Sequence, residues 1–500
     1  MSAPAASVDD ADAPPRGEHL ISHLERPLGR GHLPPGAFTG AAGGAACGDL
    51  IRVSVALEHA SPEGRIADAG FDASGCGASI AAGSAVVGLV RGTPLLAAAR
   101  IGAREIAAEL GGLSQAKRHA AELAADALHR ALGGAARHGV ALAPCARRTL
   151  VAMSGGVDSA VAALLLAGEQ REAVGVTLEL WSDPENDGEL SCCSARAVRG
   201  ARELAHELGM AHLSIDLRAE FRAGVVEPWL AGHAAGLTPN PCVRCNGSVR
   251  LDAMLELATR LGSQTLATGH YARLAAGPPR APLLRVAADE RKDQSYVLAT
   301  LAPSSLARLR FPLGELRKAQ VRELARDAGL AVARKRESQD LCFLAGTRHD
   351  RFLERHAGLG GRPGPIIDFY GGGVLGEHPG AHAYTVGQRH GLGLSAREPL
   401  YVLATDARAN TVTVGPRSAL LARALRARAA VLHRDARWVD GLRVRAHGRR
   451  LACRLPGGER AGRHPRLAIE LERPAERTAP GQLACLYAGD LIVGHAIVAA

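Results

Sequence analysis

"MSGGVDSAVAALLL", residues 153–166, follows the short apolar run "TLVAM" (149–153) and reads as strand, tight polar loop and apolar helix. A strand that ends in Ser-Gly-Gly and opens a helix leaves small residues where backbone N–H groups can close on phosphate oxygens, and the helix dipole adds to their pull. Ser154 and Ser159 bring hydroxyl donors, while Asp158 can hold Mg²⁺ or orient the loop. No Gly-Lys-Ser/Thr follows, which excludes the usual P-loop of kinases and GTPases. Taken alone, the stretch also allows a glycine-rich turn with no ligand.

Further strands follow at 173–181 ("AVGVTLELW"), 211–217 ("AHLSIDL") and 265–270 ("TLATGH"), with helix-patterned stretches between them. Strand alternating with helix predicts a doubly wound parallel α/β sheet with ligands at the carboxyl ends of its strands. Gly269 and His270 end one of those strands and fall near the same edge, although a histidine there can equally be a hydrogen-bonded structural residue.

The flanks differ in texture. Residues 1–30 read as a disordered leader, 31–132 as an α+β domain, and 133–148 as a linker. In the second of these "LIRVSVALE" (50–58) and "GRIADAGFDASG" form a hairpin, followed by Ala-rich helices. The α/β unit spans 149–360. Residues 361–420 form a small central β-rich domain and 421–500 a C-terminal β-barrel domain, with "PLYVLATDARANTVTVG" (399–415) and "LACLYAGDLIVGHAIVA" (483–499) as strand–turn–strand signals. The chain is thus multidomain, α+β and α/β, ending in a barrel-like region.

Five hundred residues with 47% hydrophobic and 22% charged residues imply several folded domains. The net charge of +10 favours an anionic partner such as RNA, and only 3% aromatics make base stacking on an aromatic platform unattractive. No apolar run approaches the roughly 20 residues of a membrane helix, and the first thirty residues lack a secretion signal. The expectation is a cytoplasmic protein with no membrane contact, whose ten cysteines serve as thiols, ligands or catalysts.

"TPNPCVRCNGSVR" (238–250) sets Cys242 and Cys245 one helical turn apart. Such spacing suits metal ligands, a redox pair, sulfur-transfer nucleophiles or small buried side chains, and spacing alone does not choose. A thiolate needs a positive neighbour or a helix N-terminus at neutral pH. Arg244 and Arg250 flank the motif, a helix is expected to begin near Cys245, and Pro239 and Pro241 fix the approach of the chain.

"SGGVDS" resembles the SGGxDS signature of PP-loop ATP pyrophosphatases. With "TPNPCVRCN", "ATGHYAR", "KDQSYVL" (292–298), "ESQDLCFL" (337–344) and "YTVGQRHGLGL" (384–394) in this order, the chain from 149 onward is similar to bacterial tRNA 2-thiouridylases. The resemblance implies ATP-Mg²⁺-dependent adenylation of the C2 oxygen of the wobble uridine (position 34) in tRNAs for Lys, Glu and Gln, followed by displacement of AMP by sulfur. It assigns Cys245 as nucleophile and Cys342 as persulfide carrier. Ala152, Met153, Ser154, Gly155, Gly156, Val157, Asp158, Ser159, Leu178 and Gly269 match the ATP site. Asn240, Pro241 and Cys242 match the segment facing the target base; Lys292, Asp293 and Gln294, with His270 and Gln482, match tRNA contacts. Some members carry Asp where this chain has Cys242. Others show Arg-Tyr near the RNA where this chain keeps Arg445 but places Ala446 next, a departure from the pattern of that contact.

Two sulfur mechanisms fit the resemblance. In one, Cys342 carries a persulfide delivered by a cysteine desulfurase. In the other, Cys242, Cys245 and Cys342 hold a four-iron cluster that transfers hydrosulfide. A structural zinc would want a fourth ligand. Cys192 and Cys193 are adjacent, so their side chains diverge; they read as bystanders or as accessory sulfur handlers.

"GAACGDLIRVSVALE" (44–58), "FDASGCGASIAAGSAVVGLVRG" (71–92) and "AKRHAAELAADALHRAL" (116–132) resemble the IscU/NifU iron–sulfur scaffolds. Cys47, Asp49, Cys76 and His119 match the scaffold site, but Ala120 stands where its third cysteine is expected, with Cys145 as a candidate replacement. Joined to a sulfur-using enzyme, this domain is expected to deliver sulfur or cluster. Two rival readings are an iron–sulfur assembly or carrier protein with an inactive PP-loop half, and a PP-loop amidating ligase. The second has no need of paired thiols.

Overall fold

A computed structural model describes residues 18–43, 48–169, 171–183, 194–275, 281–335 and 341–499; Cys47, Cys192 and Cys193 therefore lie outside the described residues. Its front domain is an antiparallel sheet in the order β1 (Phe38–Gly43), β2 (Leu50–Leu57), β3 (Ile66–Ser74). Pairing of β2 with β3 sets Val53 opposite Phe71, both buried, as the alternating pattern of β2 requires. Helices Gly77–Val90 and Arg118–His138 cover this sheet.

Two boundaries differ from expectation. Helix Glu18–Glu25 occupies part of the span read as a leader; His23 Nδ1 lies 2.8 Å from Ser84 Oγ, and the Leu28 amide donates to the same hydroxyl. The helix entering the expected linker runs on to His138. Gly133, read as a linker residue, is where that helix presses against the α/β sheet: a Cβ there would lie 2.0 Å from the Ser214 carbonyl oxygen.

The α/β domain is an all-parallel sheet in the order β10 (Leu309–Arg310), β7 (Thr265–Ala267), β4 (Arg148–Ala152), β5 (Glu172–Glu179), β6 (Ala211–Asp216). Its core is continuous with that of the front domain. Helix Arg118–His138 lies along the edge strand β6, where the ring of buried His129 sits between the His212 carbonyl, 2.9 Å from Nδ1, and the Ile101 carbonyl, 2.9 Å from Nε2, and in its neutral form donates to one of them. Asp126 on the same helix joins Arg199 at 2.8 Å and buried Arg202 at 2.7 Å. An exposed edge strand invites pairing with another chain, and this one is covered.

The central domain is a four-stranded sheet in the order β12 (Val374–His378), β11 (Gly364–Asp368), β14 (Thr411–Gly415), β13 (Tyr401–Asp406). The C-terminal sheet runs β15 (Leu421–Leu432), β18 (Gly462–Glu476), β17 (Leu451–Arg454), β16 (Gly441–Arg443), β19 (Leu483–Ala488), β20 (Leu491–Val498), and closes through β15–β20 pairing. Closure removes the free edges that an open sheet would leave. Two strands of the preceding domain, β8 (Arg273–Ala275) and β9 (Leu283–Arg285), extend this sheet beyond β20, so the barrel and the α/β unit share secondary structure. Among the described residues no helix is long and apolar enough to cross a membrane.

Candidate active site

At the carboxyl end of β4, Ser154 and the loop that follows lead into helix Val157–Ala167. Ser159 Oγ accepts from the Ser154 amide at 3.1 Å and donates to the Gly156 carbonyl at 3.1 Å, which closes the loop on itself. Gly155 holds φ +66°, a left-handed conformation that favours glycine, and a Cβ there would lie 2.8 Å from the Ala197 carbonyl oxygen. Gly269 presses on the loop from β7: its Cβ would stand 2.8 Å from Ser159 N and 2.8 Å from the Asp158 carbonyl carbon.

Asp158 orients the loop. Lys318 Nζ contacts both carboxylate oxygens, at 2.7 and 2.8 Å, and Tyr271 OH donates to Oδ1 at 2.8 Å. A Mg²⁺ would have to displace a lysine to bind here, so the arrangement does not fit Asp158 as a metal ligand. Lys335 Nζ donates to the Gly155 carbonyl at 2.9 Å. Neither lysine was expected from the motif. A cation required by a polyanion outside the signature is the signal that could have found them.

Leu178 lies near the carboxyl end of β5, but its side chain lines a small cavity of about 120 Å³ with Arg137, Ile215 and Leu257, on the face covered by the front-domain helix.

The thiol segment begins as helix Pro241–Arg244, passes through a π-helical stretch Cys245–Arg250, and continues as Leu251–Arg260. The helix thus starts earlier than expected. Asn240 caps it, its side-chain oxygen accepting from the amides of Cys242 (3.0 Å) and Val243 (3.3 Å), and Pro241 takes the first position, where no donor is needed. Cys242, not Cys245, therefore lies in the first turn. Asn246 Nδ2 bonds the Cys242 carbonyl at 3.0 Å within the π-helical stretch, a feature frequent at functional sites. Burial pushes the Cys242 thiol above its ordinary range, opposed by the Arg250 charge. Cys245 is buried and Cys342 half-buried, and both pack against the cluster that holds Trp229, Phe343 and Phe352.

His270 connects the two halves of the site. It follows Gly269, is buried, and accepts or donates at 2.8 Å to Thr268 Oγ1. Burial first, then the Arg250 charge, lower its pKa to about 3, so it is neutral at physiological pH. Arg250 of the thiol segment thus stands within electrostatic reach of a residue beside the nucleotide loop.

The expected RNA-contact residues divide. Lys292 is half-buried and Gln294 and Arg445 are exposed, but Asp293 is buried and its oxygens are taken. They accept from the amides of Ala287 and Ser295, the Ser295 hydroxyl, and Arg443 Nη1 at 2.8 Å. Asp293 therefore ties β16 to the α/β domain. Gln482 likewise uses its amide on the protein, donating to the Thr238 carbonyl at 2.5 Å.

Cys242, Cys245 and Cys342 do not gather as a single-ion site; among the described residues only Asp49, Cys76 and His119 bring three ligand atoms within 4.8 Å of one another. Asp49 Oδ2 accepts from Ser79 Oγ at 2.7 Å and lies 3.2 Å from His119 Nε2. The Ser79 bond, with the Cys76 amide and His119, holds the Asp49 carboxyl below its usual range despite burial. Exposed Cys76 is the one thiol of this group, and Ala120 is fully buried. Cys145 does not replace the missing thiol. It sits beside Glu172 at the start of β5, with its sulfur 3.6 Å from the carboxylate.

Comparison with known proteins covers the whole architecture. Residues 17–137 match the NifU-like N terminal domain, 147–346 the tRNA methyl transferase HUP domain, 350–416 the tRNA methyl transferase PRC-barrel domain, and 441–498 the aminomethyltransferase beta-barrel domain. The bifunctional protein NifU/MnmA of Rubrobacter xylanophilus is 42% identical over 499 residues, 97% of this chain and 98% of its own. The tRNA-specific 2-thiouridylase MnmA of Pelotomaculum thermopropionicum is 39% identical and that of Chloroflexus aggregans 42% identical; each aligns with 70% of this chain, and with 97% and 98% of its own length respectively.

Proposed function

The chain belongs to the tRNA-specific 2-thiouridylase family, in the form fused to a NifU-like domain, and on that premise we propose that it is an ATP-dependent sulfurtransferase acting on the wobble uridine of tRNAs for Lys, Glu and Gln. The observation that carries the reading is the approach of a phosphate-type loop, 154–159, and a capped thiol helix through Gly269, His270 and Arg250.

The nucleotide loop supplies backbone donors for the phosphates, Lys318 offsets the Asp158 carboxylate within it, and Lys335 adds positive charge beside it. The uridine C2 oxygen attacks the α-phosphorus, and pyrophosphate leaves. The terminal sulfur of a Cys342 persulfide then attacks C2 and AMP departs with the oxygen. The Cys245 thiolate attacks the Cys342 sulfur, releases the thiolated base and forms a disulfide, which a dithiol reductant returns to two thiols. Burial of Cys245 and the partial burial of Cys342 protect the sulfur from water. Magnesium arrives with ATP; no step is assigned to a protein-bound metal ion.

A surface for the RNA is available on the barrel. Exposed Arg428 on β15 stands directly opposite exposed Arg466 on β18, with Arg426 two residues away on the same face. Like charges facing one another across strands repel, and phosphates relieve that repulsion.

The test is incubation of purified protein with unmodified tRNA, ATP-Mg²⁺ and a persulfide donor, followed by digestion and mass detection of 2-thiouridine. Loss of product in Cys245→Ala and Cys342→Ala is expected. Absence of product with the unaltered protein, under anaerobic and iron-reconstituted conditions as well, would sink the reading. Product that depends on reconstituted iron would replace the persulfide with cluster-bound sulfide.

A further inference from the structure

The four residues before the Asn240 cap are held by the two C-terminal domains. The Thr238 amide donates to the Pro480 carbonyl at 2.8 Å, and Gln482 Nε2 donates to the Thr238 carbonyl at 2.5 Å. Both backbone polar groups of one residue are thus satisfied by the barrel. Gly481, at φ +93°, lies flat against this segment: a Cβ there would be 3.2 Å from Leu237 Cβ and 3.3 Å from Thr238 N. The grip is itself anchored, since the Gly481 amide donates to the Val498 carbonyl at 3.0 Å and the Val498 amide to the Gln482 carbonyl at 2.9 Å. On the other side, the Ala407 Cβ stands 3.3 Å from where a Gly236 Cβ would be.

Position along the chain gives this grip its effect. Pro239 and Pro241 carry no N–H, so Thr238 is the last residue before the proline pair that can be tied through its own amide. Proline fixes φ at both positions, so a displacement at Thr238 is passed along a stiff segment to Asn240 and to Cys242, rather than absorbed.

We propose that Gln482 is a positioning residue that sets the thiol segment through Thr238, so that barrel and thiol helix move as one body. The role is distinct from direct contact with RNA: it is carried by the one N–H of the Gln482 amide that holds the protein backbone. The inference rests on the thiolation reading for its activity readout only.

The experiment uses the full chain with Gln482→Ala and Gln482→Glu; the latter keeps the shape and removes the N–H donor. Alkylation of Cys242 by iodoacetamide is followed by mass spectrometry without RNA, alongside tRNA Kd and single-turnover thiolation. Both variants should alkylate at least 3-fold faster, lose at least 5-fold in turnover, and change tRNA Kd by less than 2-fold. Unchanged alkylation overturns the proposal. If it comes with a Kd weakened more than 10-fold, Gln482 is an RNA contact instead. Should either variant lose its cooperative melt, Gly481→Ala presses on the same peptide from the barrel side and is expected to shift alkylation without removing a bond. If unaltered protein makes no 2-thiouridine, the thiolation reading fails, while the alkylation comparison still decides the role of Gln482.

Discussion

Gly269→Ala is the sharpest probe of the nucleotide loop. The added methyl would stand 2.8 Å from Ser159 N, 2.8 Å from the Asp158 carbonyl carbon and 3.0 Å from its oxygen. All three are backbone atoms, so no flexible side chain can yield. Either β7 or the start of helix Val157–Ala167 must shift by several tenths of an ångström. Overpacking of this kind costs ~1–3 kcal/mol. If the cost falls on the ATP-bound geometry, it corresponds to a roughly 5-fold to 150-fold loss in kcat/KM for ATP. The assay is AMP formation against ATP concentration with tRNA saturating, paired with a thermal melt. Gly200→Ala, where nothing lies within 4 Å of the new methyl, is the control. Wild-type kcat/KM in Gly269→Ala, with an unchanged melt, would refute the claim that this contact sets the loop.

The other expectations concern stability and thiol chemistry. His129 and His212 are fully buried and held neutral, each well below the ordinary histidine pKa, chiefly by burial. The unfolded chain takes up those protons first as pH falls below ~6.5, so stability is full above that value and drops by ~2.7 kcal/mol per pH unit well below it. A melting temperature flat from pH 7.5 to 5 would contradict this. Asp126→Ala strands buried Arg202 and should cost ~3–5 kcal/mol, read as a lower melt and faster proteolysis near residue 140. Because burial raises the Cys242 pKa, its alkylation rate should keep climbing past pH 9, and Arg250→Gln should move the curve further up. A plateau below pH 8 would show a thiolate already formed.

The parallel sheet was legible because its signals are local: apolar runs such as 149–153 and 173–181, separated by helix-patterned stretches, become β4 and β5. The "SGGVDS" turn was legible for the same reason. What was not legible depended on contacts between distant segments. Gly133 looked like a linker residue because its reason for being glycine, the Ser214 carbonyl, lies 81 positions away in sequence. Lys318 reaches Asp158 across 160 residues, and no local pattern marks it. Asp293 shows the same dependence: its motif marks no partner within the protein, and only the fold reveals Arg443 and three donors of its own domain on its carboxylate.

The helix Arg118–His138, laid along β6 and sharing one core with the sheet, has a consequence for how sulfur travels. A carrier domain that swings between loading and delivery needs slack at its joint. Here the joint is a packed helix, with buried ion pairs and histidines across it, so the front domain cannot act as an arm. The distance from Cys76 to the thiol helix is therefore built into the fold. A sulfur handed from Cys76 to the thiol helix would have that fixed span to cross, and swinging of the front domain would not shorten it.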